Sequence, residues 1–555
     1  MTLPRAPMRA ALLGALFAAL VTLPGLGGGT LWDNSETAYG EVAREIVSSR
    51  DWIVMHLNGV PWFIQPPLYF WVAALFAKLL GITALALRLP SALATILMGG
   101  AIGYATARIA GTRCGIVASI VLSTSLMQAI VGRLAIMDAL LDLCVAAAIL
   151  WWYRALEPAR GPDVLDAGKR STAFLLGSAA IGVGILAKGP VAPVIVGLVI
   201  GGWSLWEVRR GRRVPMLPLR TRAGGLAVLL AITLPWFVLL AQRVGGHAIV
   251  ELLGHYTVGR YTGVIENQSG PWWYYLPVLI LGFFPWIAFL PVGFARAIVR
   301  AGRDDGSFAR LAIVWSIVPL VFFSFAQTKL PNYIALEFSA LAIVVALWFE
   351  RIDAGDDTRA ATISAAVVPF TVGAIGFAVA VFGRTNKLPT AELAPQLLTL
   401  GAGMIVGSLA TVVAIVREPW RAAAPYVLGV TSLVLVSFIA FVAEPVAEQF
   451  KPIPDFAAII ERDRKPGDVV AIRGVSGYNA LVFYTGPGVK NVDAGIPQEY
   501  VSTICPAGTI YFVTPNHDLD ALRAQTESLQ RTFTIVDRLP RAALVRIAGP
   551  DCPHD

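Results

Sequence analysis

Apolar runs of the length a bilayer core demands of a helix recur from the start of the chain to Ala443, parted by short polar stretches. The pattern predicts spans at Ala10–Leu26, Pro90–Ile109, Ile116–Ile130, Ala139–Tyr153, Ala173–Ala187, Val191–Trp206, Gly225–Ala241 and Trp273–Ala295. Two more flank the polar stretch Gln327–Tyr333, and Ala361–Phe382, Leu397–Val416 and Ala422–Ala443 complete about thirteen. The apolar stretch Leu68–Leu80 is short for a crossing and holds Lys78, so an interfacial or re-entrant helix is expected there. From Glu444 the pattern changes. Val469–Ile472, Leu481–Tyr484, Thr509–Val513 and Ala543–Ile547 read as strands, and Pro454–Arg462 and Leu519–Leu529 as amphipathic helices. The expected organisation is a mainly α polytopic membrane domain over residues 1–443 and a small α/β domain over residues 444–555.

The first polar loop stands out against this background. It carries Asp33, Glu36, Glu41, Arg44, Glu45, Arg50 and Asp51 within a few turns of chain. Apolar residues at Ala38/Tyr39, Val42/Ala43 and Ile46/Val47 predict an amphipathic helix with Glu41, Arg44 and Glu45 off its apolar stripe. Asn34 and Ser35 are its candidate caps, and Asp33 sits just before them, where a helix start favours a carboxylate.

Charge sets the orientation. A hydrophobic share of 56%, a charged share of 14% and a net charge of +8 fit the positive-inside bias of a membrane protein, and nucleic-acid binding is not expected. The arginine-dense loop Arg209–Arg222 is the strongest inside signal. Placing it inside puts the amino terminus inside, the carboxyl terminus outside, and Asp33, Arg133, Asp138, Lys188, Arg260, Lys329 and Tyr333 on one outer face. Cys505 and Cys552, both in the polar tail, are a candidate disulfide if that tail faces an oxidising compartment.

Carboxylates at span ends with cations around them suit an anionic substrate at the membrane surface. An aspartate can orient or deprotonate a hydroxyl, and lysine and arginine can hold a phosphate and the charge that builds on it. Each residue also has a plainer reading. Arg133 can simply pair with Asp138, Lys188 and Lys329 can snorkel to headgroups, and His255 can be an interfacial polar residue. No His/Cys/Glu cluster has metal-ligand spacing. A transporter or a scaffold is the alternative to an enzyme, although ionisable residues at span ends on one face fit neither well.

Taken together, a set of motifs resembles the GT-C glycosyltransferases of the protein O-mannosyltransferase-like group. The similarity is greatest to the bacterial branch that contains the aminoarabinose transferase of lipid A. These are Asp33-x-x-Glu36, Asp51-Trp-Ile-Val-x-His-Leu-Asn-Gly59, Pro66-Pro67-x-x-x-Trp71, Arg88-Leu-Pro-Ser-Ala92, Arg133-Leu-x-x-x-Asp138, Lys188-Gly-Pro190, Pro271-Trp-Trp-Tyr-Tyr-x-Pro277 and Lys329-Leu-Pro-x-Tyr333. The resemblance implies a bacterial inner-membrane enzyme with its site and carboxyl-terminal domain in the periplasm. It would move a sugar, with inversion, from a polyprenyl-phosphate donor to a lipid, glycan or protein acceptor. It implies Asp33 and Asp138 as catalytic carboxylates, with Glu36, Arg133, Lys188, Arg260, Lys329 and Tyr333 binding substrate or donor phosphate. One departure matters. The branch's Glu-Lys pair, its Glu associated with metal and its Lys with lipid phosphate, is Ile64 and Gln65 here, so neither the branch's divalent metal nor aminoarabinose as the sugar follows from the resemblance; His255 is the candidate metal ligand.

Overall fold

The computed structural model describes residues 5–32, 35–158, 166–382, 390–448, 451–492 and 508–549, without the side chains of 369–370 and 373–395. The chain forms two compact units. One comprises Met1–Leu26, Phe63–Tyr69 and Arg88–Ala443; the other comprises Gly27–Trp62, Phe70–Leu87 and Glu444–Asp555.

In chain order the first elements are α1 (Arg5–Thr22), α2 (Glu36–Ser49), β1 (His56–Leu57), β2 (Val60–Pro61), α3 (Leu68–Leu80), α4 (Ala84–Ala110) and α5 (Thr112–Thr124). There follow α6 (Leu126–Val131), α7 (Asp138–Leu156), α8 (Ala167–Lys188), α9 (Val191–Arg209) and α10 (Leu219–Val244). Among the described residues ten helices are long and apolar enough to cross a membrane, and the pair Tyr275–Gly282 and Trp286–Ala301, bent by 104°, makes up to eleven. The stretch read as one span over Ile116–Ile130 is divided at Ser125, whose backbone is extended, into α5 and α6. Leu68–Leu80 is a single helix too short for the span criterion.

The helical unit packs through small residues, as expected where lipid supplies no hydrophobic drive between helices. A Cβ on Gly115 of α5 would lie 2.3 Å from the Gly103 carbonyl of α4, so only glycine permits that approach. Ser119 Oγ of α5 donates to the Gly99 carbonyl at 2.7 Å across the same interface. Cys114 and Cys144 are buried packing residues.

In the second unit five strands form one sheet. They are β3 (Val469–Ile472), β4 (Lys490–Asn491), β5 (Ile510–Pro515), β6 (Thr532–Arg538) and β7 (Ala542–Ala548), in the order β4-β3-β5-β7-β6. β3 runs parallel to β4 and β5, whereas β5–β7 and β6–β7 are antiparallel. Alternation along the strands sends Val470, Ile472, Tyr511 and Val513 to one core with the helices Pro452–Asp463 and Tyr478–Thr485. Ala471, Ile510 and Phe512 go to a second core with Leu519 and Leu522 on the other face. Leu481–Tyr484, read as a strand, is instead part of the helix Tyr478–Thr485. A short apolar run does not reveal its period, and here Ala480, Leu481 and Val482 pack on the sheet as a helix.

The first polar loop belongs to this second unit. α2 forms as its spacing predicts, but Glu41 lies on the buried side, fully enclosed, with its charge met by Arg44 Nη2 at 2.6 Å. Ser35 makes no side-chain cap. Glu36, the first residue of α2, instead accepts from the Trp32 amide, ahead of the helix, at 2.8 Å. Asp33, Asn34, Cys505 and Cys552 lie outside the described residues.

Candidate active site

Helix ends place the charges. Asp138 opens α7, where the partial positive end of the helix dipole favours a carboxylate, and Lys188 closes α8, where a cation is favoured. The left-handed Gly189 (φ 71°) and then Pro190 end α8 and start α9 within two residues, which holds Lys188 at the tip of a tight helix pair. Lys188 Nζ donates to Asp138 Oδ1 at 2.5 Å and lies 4.9 Å from the centre of the Tyr333 ring.

Two distant stretches of sequence bring Arg260 and Tyr333 to the same place. The π-helix Glu251–Gly259 ends at Arg260, a geometry common at functional sites. The main chain of Gln327, Thr328 and Lys329 then pairs with the Tyr261, Arg260 and Gln268 carbonyls at 3.0, 3.0 and 2.9 Å. The 3₁₀ helix Pro331–Glu337 follows, and its period of three sets Tyr333 and Leu336 on one side. Arg260 donates to Glu266 Oε2 at 2.9 Å and to Gln268 Oε1 at 3.2 Å.

These groups line one cavity of about 360 Å³. Asp138, Asp142, Lys188, Arg260 and Tyr333 give it a polar end, and Leu141, Val191, Val194, Phe322, Phe323 and Leu336 give it apolar walls. Asp142 escaped the sequence reading. It sits one turn along α7 from Asp138, 4% exposed, and its signal was an ionisable residue inside an apolar run.

Two expected phosphate ligands are turned elsewhere. Lys329 Nζ donates to the Ser324 and Ala326 carbonyls, each at 2.7 Å, and so closes the end of the helix Ser307–Phe325. Burial holds its ammonium below the usual lysine value. Arg133 does not line the cavity. Its Nη1 donates to the Thr22 and Pro24 carbonyls, at 2.9 and 2.7 Å, at the end of α1, while Lys188 takes the pairing with Asp138 that Arg133 was given as its plain role. Glu36 is 1% exposed and holds the turn before α2.

Ile64 and Gln65 line the cavity where a Glu-Lys pair would supply a carboxylate. His255 stacks edge-on against Tyr256, and among the described residues no group of three His, Cys, Asp or Glu is placed to hold an ion.

A bundle of apolar helices with a cavity apolar along its walls and cationic at one end suits a membrane enzyme that binds a lipid-linked phosphate. The comparisons with known proteins agree. Residues 64–239 match the family described as dolichyl-phosphate-mannose-protein mannosyltransferase. The undecaprenyl phosphate-alpha-4-amino-4-deoxy-L-arabinose arabinosyl transferase of Edwardsiella ictaluri is 30% identical over 437 residues, 76% of this chain and 75% of that one. That of Pectobacterium carotovorum is 29% identical over 409 residues, 72% of this chain and 69% of that one. The crystal structure of ArnT from Cupriavidus metallidurans bound to undecaprenyl phosphate shares the fold, with a TM-score of 0.78 at 24% identity over 96% of this chain and 97% of that one. A more distant fold match is the oligosaccharyltransferase of Archaeoglobus fulgidus, with a TM-score of 0.53 at 12% identity over 94% of this chain and 70% of that one. The chain belongs to the undecaprenyl phosphate–aminoarabinose arabinosyl transferase family of multi-pass membrane glycosyltransferases. Membership decides for an enzyme over a transporter or a scaffold.

Proposed function

We propose that the chain transfers an amino-pentose from an undecaprenyl-phosphate donor to a lipid A-type acceptor at the outer face of the inner membrane. The observation that carries this reading is the cavity, whose apolar walls suit a prenyl chain and whose Lys188, Arg260 and Tyr333 suit its phosphate. The pentose and the lipid acceptor rest on the relatives, which are arabinosyl transferases by name.

In the proposed reaction the acceptor oxygen attacks the anomeric carbon as the bond from that carbon to the phosphate oxygen breaks, with inversion. The electron pair of the breaking bond goes to the phosphate, which departs as undecaprenyl phosphate. Lys188 and Arg260 offset the charge that builds there. Asp138 accepts from the Lys188 ammonium and so aims it, which makes Asp138 a positioning residue. Asp33, the carboxylate at the family's catalytic position, removes the acceptor proton or, for a phosphate acceptor, steadies the cationic sugar, a role worth ~10²–10⁴-fold in rate. Arg133 and Lys329 hold helix ends, and Glu36 accepts from the Trp32 amide.

Purified protein in liposomes, supplied with an undecaprenyl phosphoryl amino-pentose and lipid A, tests the reading by mass spectrometry of the lipid product. Transfer by the wild type is expected, with Asp33→Asn at least about 100-fold slower and donor KM little changed. Near-normal turnover of Asp33→Asn overturns the catalytic assignment. Absence of transfer by the wild type to lipid A overturns the acceptor.

A further inference from the structure

The second unit ties the first polar loop to the carboxyl-terminal domain at both of the loop's ends. At one end Thr30 Oγ1 donates to Glu448 Oε2 at 2.6 Å, and the Leu31 amide donates to the Tyr484 hydroxyl at 3.0 Å. The Lys451 ammonium lies 3.9 Å over the Trp32 ring and is held there by Glu448 Oε1 at 2.5 Å. These three consecutive residues stand next in sequence to Asp33. At the other end Asn58 and Gly59 form the two-residue turn of the β1–β2 hairpin, with φ of 56° and 76°. The Asn58 side chain donates to the Tyr478 hydroxyl at 2.5 Å and accepts from the Gly488 amide at 2.8 Å. Between the two ends, α2 lies so close to the same domain that a Cβ on Gly40 would stand 3.0 Å from Phe483 Cε2.

Tyr478, Phe483 and Tyr484 all belong to one short helix, Tyr478–Thr485, whose other side packs into the sheet. Two hydroxyls at its two ends therefore fix two points of the loop that are far apart in sequence. Hydrogen bonds to main-chain and amide groups of the loop set its path, whereas apolar packing alone would leave it free to slide. We infer that this helix is a positioning element for catalysis: Tyr484, with Lys451 at the Thr30–Trp32 end, and Tyr478 at the Asn58 end hold the first polar loop in the geometry that transfer requires. This rests on the reading that the loop's acidic residues act in transfer. The carboxyl-terminal domain thereby acts in turnover through the loop without touching substrate.

The test is the double variant Tyr484→Phe/Tyr478→Phe, which keeps both rings and removes only the hydroxyls, with Lys451→Met as an independent second variant. Each is reconstituted as the full chain in the liposome assay, and trypsin cleavage after the exposed Arg50 reports loop mobility. The expected result is a kcat about 10- to 100-fold lower, as for a displacement of order 1 Å, with donor KM within about twofold of wild type and faster cleavage at Arg50. An unchanged kcat overturns the inference, whether or not cleavage quickens, because the loop then needs no such hold. A lowered kcat with unchanged cleavage also overturns it, since the effect does not pass through the loop. Asp33→Asn, run in parallel, separates the two readings: if that variant also turns over normally, the catalytic role of the loop fails first.

Discussion

Lys188 lies 2.5 Å from Asp138 Oδ1 and 4.9 Å from the centre of the Tyr333 ring, so a single cation joins a carboxylate and a phenol in the cavity wall. The two charged side chains are 14% and 6% exposed. Removing either partner leaves the other charge buried and alone, which costs ~3–5 kcal/mol, whereas removing both costs much less. Lys188→Met and Asp138→Asn are each expected to lower the thermal midpoint in detergent, and the double variant is expected to recover most of the loss. Turnover of the double variant should stay well below wild type, because the phosphate has lost one of its two cations and keeps only Arg260. A double variant that transfers at the wild-type rate removes Lys188 from the phosphate site.

Arg260 and Lys329 should separate cleanly in kinetics. Arg260 faces the cavity, so Arg260→Ala is expected to raise donor KM about 10- to 100-fold, the worth of ~1.5–3 kcal/mol for a charged hydrogen bond. Lys329 donates to two carbonyls at a helix end, so Lys329→Met is expected to lower thermal stability by ~1.5–3 kcal/mol with donor KM unchanged. A Lys329→Met variant of normal stability and raised KM reverses the two roles.

Glu41 gives the loop a pH signature. Burial pushes its carboxyl above the usual glutamate range, although Arg44 pulls the other way. The folded state then binds this proton more tightly than the unfolded chain does. The group's contribution to stability is full below the ordinary glutamate value and is lost as pH rises through the raised one. Glu41→Gln is expected to flatten that part of the profile of thermal midpoint against pH. An unchanged slope shows that Arg44 fully offsets the burial.

The bundle was legible because hydropathy alone selects spans, and Asp138 and Lys188 were legible because charge at a span end is rare. Arg133 and Lys329 were not. A cation at a span end serves a phosphate, a headgroup or a neighbouring helix's carbonyls equally well in one dimension, and only packing shows that both cap helices. Glu41 looked solvated because its partner Arg44 is three residues on, and an ion pair can be carried into a buried face. The Asn58-Gly59 hairpin was missed, because its flanking strands are two residues each, too short to show alternation. The helix Tyr478–Thr485 was misread for the related reason that eight residues span barely two turns.

Charge gives an expected side of the membrane for each loop, and thiol labelling can check it. The segment between α9 and α10 is flanked by Arg209, Arg210, Arg212, Arg213, Arg220 and Arg222, and Met216 within it is 86% exposed. The carboxyl-terminal domain offers Ser528, exposed at the end of its helix. Cys114 and Cys144 are buried and should not react, so replacing Cys505 and Cys552 by serine gives a quiet background. In intact spheroplasts an impermeant maleimide is expected to label Ser528→Cys at once and Met216→Cys only after the membrane is opened. Basic residues resist translocation, so the arginine-dense segment is expected inside, with α10 beginning at that face. The proposed site needs its cavity mouth and the domain that holds the first polar loop on the acceptor's side. Labelling of Met216→Cys in sealed spheroplasts with Ser528→Cys protected inverts the orientation, and the outer-face acceptor goes with it.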